Sequence, residues 1–493
     1  MLGHWMSTEE YQEHVVTLLR PYHNELCRKV LRYRKIIQKL WLLDLDKAKS
    51  IMQPLYAPDT GRPAKHQSQL LRALVAMIHF KETSITQWIQ TLYEDDILAI
   101  LCGFYPGQIP SVGAVYDFQS RFWKDSSPTK RVLRRGRKKG RKPQNKSEKM
   151  KPKHPGVVQR LAQRVRAGQV TSLGVDEILN KIMAECAVKP SARLGLLGEN
   201  YAIAADGAPL ITGAHPWGHR QCPCRKHGIQ RCDCPKVFTD PTATWGWDSY
   251  HEQWFFGHTL YGITSADSPN DLPIYLTLNQ ASRHDSVSFV VALQRMHHLY
   301  PDMQHGRVLL DAAHDSYAIY DLVDSFGMEP FIDLNGRQHS RRYQGPLDLT
   351  AEGVPICPAQ LPMKNWGYQN DRCRIKWRCP CHQNLEQCPL GKPCSPSPYG
   401  RVVYTKKDDD VRLFGAVARS SKTWKAIYKR RTTVERSFKR ILVDYAIEAG
   451  KVRDKRYWSW RVILAGINIH LDAQRQVQVC PWLEDILAQA PAA

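Results

Sequence analysis

The chain has 493 residues, enough for two to four domains and a large buried core. Its 70 Lys and Arg against 47 Asp and Glu give a formal net charge of +23, which favours a phosphate-rich partner, and its 43% hydrophobic content excludes a mainly disordered tail. No apolar run reaches about 18 residues and no charged segment precedes an apolar one at the N-terminus, so we expect no membrane span, no export signal and a cytoplasmic location.

Residues 1–125 are predicted to form an N-terminal helical domain. Apolar residues recur there at helical spacing, as in Ser68–Ile78. A helical lead-in at 156–200 is expected to connect this domain to the rest of the chain.

A basic linker at 126–155 separates these two helical parts. It is rich in Lys and Arg and contains one acid, Glu148, so the segment repels itself and stays extended. Arg137 and Arg141 could enter a minor groove of double-stranded DNA. A solvated linker with only non-specific attraction is the alternative.

From residue 201 onward the pattern becomes mixed α/β. The predicted elements are strands at 201–205, 254–263 and 273–278, a helix at 285–300, a strand at 307–310, a helix at 316–326 and a strand at 330–333. The order β-β-β-α-β-α-β is that of a ribonuclease H-like core, so the predicted fold class is α/β (α+β overall).

The core is predicted in two parts. The first part covers 201–335 and contains a Cys-rich insertion at 215–250. A second Cys-rich insertion covers 336–415, and the second part of the core, with a late helix, covers 416–476. Residues 477–493 are expected to form a C-terminal tail.

Three carboxylates are the candidate catalytic residues. Asp206 and Asp311 each follow a predicted strand, and the first and fourth strands are neighbours in this fold. Glu435 on the late helix could join them, and carboxylates that converge require cations such as Mg²⁺ or Mn²⁺. The alternative for Asp206 is a turn with Gly207, and we expect Asp315 to cap the next helix or to support Asp311.

The late helix places its acid among cations. Tyr428, Arg431 and Glu435 are spaced i, i+3 and i+7, which puts them on one helix face. Such a face suggests a metal-dependent site that acts on a polyanion. An exposed helix with surface salt bridges is the alternative.

These segments together resemble the DDE-type insertion-sequence transposases, and more narrowly the bacterial group with a Y-R-E-K signature. The resemblance is carried by Ala205-Asp206-Gly207, by Leu310 to Ser316 and by Tyr428-x2-Arg431-x3-Glu435. It reaches upstream to Gly61-Arg62-Pro63-Ala64 and covers the chain from about 40 to 470.

The resemblance implies a ribonuclease H-like catalytic domain in which Asp206, Asp311 and Glu435 bind Mg²⁺ or Mn²⁺. Tyr428 and Arg431 would contact DNA at the element ends. It also implies a homodimer on DNA and a bacterial, nucleoid-associated location.

One position departs from the signature. The group's usual Lys falls seven residues after the Glu, where this chain has Leu442. Lys439, one turn after Glu435, could take over the DNA contact, or could be surface charge only.

Two groups of cysteines are candidate structural zinc sites, because four soft ligands at short spacing suit tetrahedral Zn²⁺. Free thiols are the alternative. The first group comprises Cys222, Cys224, Cys232 and Cys234, and the second comprises Cys379, Cys381, Cys388 and Cys394.

Aromatic residues follow the first Cys group. Trp245, Trp247 and Tyr250 could stack on an unpaired base near the cleavage site, or could belong to the core.

The predicted function is a DDE transposase that binds terminal inverted repeats, cleaves the element ends and joins the 3′-hydroxyl to target DNA. A zinc-stabilised DNA-binding regulator and a metal-dependent nuclease without strand transfer are the alternatives.

Overall fold

The computed structural model describes residues 1–126, 131–132, 155–171, 174, 176–199, 201–304, 306–336, 342–392 and 394–489. Arg137 and Arg141 lie outside the described residues. In the described part of the chain, no helix combines the length and the apolar character that crossing a bilayer would require.

Seven helices precede the basic tract, as the apolar periodicity predicted. They begin where side chains can cap them: Ser7 and Glu10 form a capping box at the first helix, and Ser84, Asp95 and Ser111 cap three later ones. The helices are α1 Thr8–Leu19, α2 His23–Leu42, α3 Asp46–Met52, α4 Gln67–His79, α5 Ile85–Glu94, α6 Asp96–Leu101 and α7 Val112–Ser120.

A two-residue strand and three short helices lead into the core. A π-helical turn at Ala184–Val188 joins the last two of these helices. The elements are β1 Arg131–Val132, α8 Val157–Arg166, α9 Glu177–Met183 and α10 Lys189–Arg193.

The central sheet has the strand order of a ribonuclease H-like core. Its elements, with two short strands that belong to a separate sheet, are β2 Ile203–Ile211, β3 His219–Arg220, β4 Lys236–Val237, β5 Thr244–Asp248, β6 Gln253–Ser265, β7 Pro273–Gln280, α11 Asp285–Leu299, β8 Arg307–Leu310, α12 Tyr317–Ser325 and β9 Glu329–Ile332. Strand β6 pairs antiparallel with β2 on one edge and with β5 and β7 on the other. Strands β8 and β9 extend the sheet in parallel from β2. The predicted fold class is therefore confirmed.

The second insertion forms a sheet of its own, and the chain then returns to the core. The remaining elements are β10 Lys364–Gln369, β11 Arg374–Arg378, β12 Val402–Lys406, α13 Lys422–Tyr428, α14 Thr433–Lys439, α15 Lys455–Val477 and α16 Pro481–Gln489. A small separate cluster that includes Val354, Ile375 and Trp377 supports the inserted sheet.

One hydrophobic cluster runs from Trp5 to Ile486 and joins the N-terminal helices to the central sheet. Helix α15 packs against α2, α4 and β7, and the buried Lys39 of α2 pairs with Asp472 of α15 at 3.0 Å. The proposed division of the chain at residue 125 therefore does not coincide with a break in the hydrophobic core.

Candidate active site

Asp206 and Asp311 lie side by side on the central sheet. Strand β2 pairs with β8 at Ile203 with Val308 and at Ala204 with Leu309. Two residues further along the same register, Asp206 comes next to Asp311, where β8 has already ended.

The expectation that Asp206 follows a strand is wrong. Strand β2 continues to Ile211, and Asp206 pairs with Gly262 of β6. The antiparallel edge of β6 extends β2 beyond the short parallel pairing with β8, so a turn at Asp206 and Gly207 does not form.

Helix α14 brings Glu435 to the same Arg431 side chain that contacts Asp206. It packs against β2 and β6, and the ring of Phe438 lies over Gly262, where an added Cβ would come within 2.8 Å of Phe438 Cε1. Glycine opposite Asp206 thus lets the helix approach the sheet closely.

Arg431 joins the acids. Its Nη1 donates to Asp206 Oδ2 at 3.1 Å and its Nη2 donates to Glu435 Oε1 at 2.6 Å. The Arg431 side chain is 18% exposed and that of Glu435 is 50% exposed. Glu435 therefore faces solvent, as a group that meets a substrate must.

The two aspartates differ in their pKa values. Burial and the charge of Asp311 raise the pKa of Asp206 to about 6. Burial also acts on Asp311, but the hydrogen bond and charge of His314, together with the charge of Arg431, hold the pKa of Asp311 below its ordinary value. Burial thus dominates at Asp206, whereas hydrogen bonding and nearby positive charge dominate at Asp311.

We expect Asp206→Asn to stabilise the metal-free protein at pH 8. Folding raises the pKa of Asp206 from 3.8 to about 6, so the cost of its charge is absent below the unfolded pKa, grows between pH 3.8 and 6, and is fully present above pH 6. The gain is at most about 3 kcal/mol at pH 8 and small at pH 4. Urea unfolding with EDTA at both pH values measures it, and a loss of stability at pH 8 would contradict the raised pKa.

The three carboxylates are the candidate ligands of a divalent metal, although their oxygens do not all lie within 4.8 Å of one another. They supply hard oxygen donors of the kind that Mg²⁺ and Mn²⁺ bind. A bound cation would offset the repulsion between Asp206 and Asp311, which Arg431 offsets in part through its hydrogen bond to Asp206.

The other positions compared with the signature, Tyr428, Lys439 and Leu442, differ in their exposure to solvent. Tyr428 is half-buried and stacks on Trp424, with ring centroids 4.9 Å apart. Lys439 is exposed, whereas Leu442 is buried in the main hydrophobic cluster within a π-helical turn, Arg440–Asp444. A Lys at position 442 would bury its charge, and this explains the departure from the signature.

Sequence reasoning missed Asp285 at the start of α11. A Cβ on Gly207 would lie 2.5 Å from Asp285 Oδ1, so the Asp285 carboxylate packs against the strand that carries Asp206. Burial and the charge of Asp311 act to raise the pKa of Asp285. Its position at the start of the helix predicted for 285–300 was the available signal.

The aromatic residues after the first Cys group line a surface cavity of about 600 Å³ that also contains Gly207 and Asp285. Trp247 is 51% exposed and Tyr250 is 88% exposed. Trp245, at 45%, is also exposed, so a core role for the three residues is excluded. Stacking on an unpaired base remains a prediction.

Asp315 does not cap α12. Ser316 is the N-cap residue, and Asp315 is buried, where its Oδ2 accepts from Arg412 Nη2 at 2.6 Å. The two side chains are 0% and 3% exposed, so this ion pair connects the second insertion to the turn after Asp311.

The first Cys group comes together. The four sulfurs lie within 4.8 Å of one another, an arrangement that could hold a metal ion. A backbone hydrogen bond from Cys224 and contacts with the neighbouring thiols lower the pKa of Cys222 to about 7.

The second Cys group does not come together in the same way. Within the described ranges, only the first group brings three or more such ligand atoms within 4.8 Å of one another. Cys381 has Cys379 and Cys388 close by, and partial burial with these thiols raises the pKa of Cys381. Cys394 is not among the groups that act on Cys381.

Residues 236–456 match the family model described as "Transposase DDE domain". This range contains Asp311 and Glu435 but begins after Asp206. No curated protein matches the chain.

A solved structure titled "Crystal structure of a pre-cleavage Mos1 transpososome" aligns with 13% identity over 56% of this chain and 78% of that chain. Its TM-score of 0.15 is too low to support a conclusion about fold or function. Residues 236–456 are therefore similar to a transposase DDE domain, and this segment contributes most of the strands of the ribonuclease H-like sheet.

Proposed function

We propose that the chain is the transposase of an insertion sequence. It binds terminal inverted repeats, hydrolyses the phosphodiester at each element end and joins the 3′-hydroxyl to target DNA. The observation that carries the proposal is the meeting of Asp206, Asp311 and Glu435 around Arg431 on a ribonuclease H-like sheet.

Asp206, Asp311 and Glu435 are the proposed ligands of Mg²⁺ or Mn²⁺. Two such ions, when bound, activate a water or a 3′-hydroxyl and stabilise the leaving oxygen. Asp206 must be deprotonated to bind a cation, and its pKa of about 6 leaves it charged at neutral pH.

Arg431 and Tyr428 position the DNA in this proposal. Arg431 presents a fixed fork of donors beside the carboxylates, and such a fork matches a phosphate as well as a carboxylate. The ring of Tyr428 is held against Trp424, so a contact with a phosphate or a sugar needs little side-chain ordering.

The remaining parts of the proposal concern the assembly. Residues 1–125 and the basic linker bind the element ends, and two copies of the chain pair the two ends. The net charge of +23 supports a polyanionic partner.

An incubation of the full chain with labelled element ends, Mg²⁺ and a target plasmid tests the proposal. Labelled ends joined to the plasmid are the expected product. Cutting without joining would indicate a nuclease, and binding without cutting would indicate a DNA-binding regulator; either result would overturn the proposed function.

A further inference from the structure

The first Cys group has the dimensions of a tetrahedral metal site. Cys222 Sγ lies 3.5 Å from Cys232 Sγ, and Cys224 Sγ lies 3.6 Å from Cys234 Sγ. Four sulfurs at about 2.3 Å from one zinc ion are about 3.8 Å apart. The observed distances are close to this value and far from the ~2.05 Å of a disulfide bond.

The loop that carries these cysteines has no hydrophobic core of its own. It connects β3 with β4, two strands of two residues each, and neither hydrophobic cluster includes a residue of 215–237. So short a sheet needs another source of stability, and a bound metal is one that small folds use.

Strand β4 of this small sheet also holds the start of the basic tract. Arg131 pairs with Val237 and Val132 pairs with Lys236 in the antiparallel register of β1 and β4. Anything that orders the Cys loop therefore also orders the point from which the basic tract continues.

The loop is strongly cationic at its surface. Arg225, Lys226 and Arg231 are exposed, and the part of the chain that the structure describes offers them no ion pair. Asp233 is the acid within the loop. Exposed cations without acidic partners are suited to phosphates.

We propose that Cys222, Cys224, Cys232 and Cys234 bind one zinc ion, and that the zinc-bound loop, with strand β1 paired to it, is a clamp for the phosphates of duplex DNA. The DNA part of this inference rests on the proposed function. The zinc part stands on the sulfur geometry alone.

Metal analysis and cobalt substitution test the zinc site without DNA. The variant Cys222→Ser/Cys232→Ser is expected to contain one zinc fewer per chain than the unmodified protein and to lose the thiolate-to-cobalt absorption of this site. The exposed Cys373 supplies the control, since Cys373→Ser should keep both. Unchanged zinc content in the double variant would overturn the site.

The salt dependence of binding to a non-specific duplex tests the clamp. The triple variant Arg225→Ala/Lys226→Ala/Arg231→Ala is expected to keep its zinc and to lower the slope of log K against log salt by about 2 to 3. The control Lys364→Ala/Lys392→Ala/Lys406→Ala removes the same charge from exposed positions of the second insertion. Equal effects of the two variants would overturn the clamp.

These measurements do not depend on catalysis. Suppose the protein does not join ends but contains the zinc, and the two triple variants still differ in the slope of log K against log salt. The proposed function would then be wrong and this inference would stand.

A separate observation concerns the support of Asp311. His314 is fully buried, its Nδ1 lies 2.5 Å from Asp311 Oδ1, and its Nε2 lies 2.9 Å from the hydroxyl of Tyr261. The carboxylate can only accept, so Nδ1 donates to Asp311, and the Tyr261 hydroxyl holds the other ring nitrogen.

We infer that His314, held by Tyr261, is a positioning residue for the metal site. It occupies Oδ1 of Asp311 and leaves Oδ2 for a cation. Partners of this kind commonly contribute about 10- to 100-fold to metal affinity.

Titration with Mn²⁺ monitored by electron paramagnetic resonance, in the absence of DNA, tests this role. His314→Leu is expected to weaken Mn²⁺ binding about 10- to 100-fold. His314→Asn, whose Nδ2 can replace the lost donor, should restore most of the affinity. Wild-type affinity in His314→Leu, or equal losses in both folded variants, would overturn the inference.

Discussion

Glu435→Gln is expected to reduce cleavage of element ends by about 10³-fold while DNA binding persists. The change keeps the size of the side chain and removes the charge that binds metal, and a loss of several kcal/mol of transition-state stabilisation corresponds to a factor of this order. Asp206→Asn and Asp311→Asn should have the same effect. Cleavage of labelled ends under single-turnover conditions, with binding measured in Ca²⁺, separates chemistry from affinity.

The control for this prediction lies one element further along the chain. Glu448 is exposed beyond the π-helical turn, and Glu448→Gln removes the same charge without touching the site. We expect it to cleave at the normal rate. Normal cleavage by Glu435→Gln would remove Glu435 from the metal site.

Asp315→Asn is expected to destabilise the protein by about 3 to 5 kcal/mol, because it leaves Arg412 charged in a place from which water is excluded. Asp315 also accepts from the backbone N–H of Asn335 at 2.7 Å, so the change disturbs the junction between strand β9 and the second insertion. The free energy of unfolding in urea measures the loss.

Asp321→Asn on the following helix, α12, is the matched control. Asp321 pairs with Arg342, but the two side chains are 30% and 45% exposed, so this pair should contribute no more than about 1 kcal/mol. If Asp315→Asn lowers the free energy of unfolding no more than Asp321→Asn does, the buried pair with Arg412 is no more important than an exposed one, and the prediction is wrong.

The order of the core strands was predictable from sequence, because hydrophobic strands and helices alternate in a pattern that few folds share. The end of β2 was not predictable. Small residues and an Asp-Gly pair are typical of a strand that stops, yet β6 continues to pair with β2 as far as Ile211. Pairing with the distant strand β6 therefore sets the length of β2, and the local residue preferences do not.

The two Cys groups show the same limit. Both have four cysteines at short spacing, but the described structure gathers the sulfurs of the first group only. The first group lies on one loop between paired strands, whereas the second is spread over a longer insertion whose chain path is set by its own sheet.

Residue types and chain order by themselves indicated a ribonuclease H-like core, a set of three acids and a polyanionic partner, since these depend on hydrophobic periodicity and on charge. Only the tertiary structure decided which groups surround the acids. Arg431 bridges Asp206 and Glu435, His314 supports Asp311, and Leu442 turns into the core. These contacts depend on the register of β2 with β8 and on the close approach of α14 over Gly262, and distances across a sheet are not encoded in local sequence.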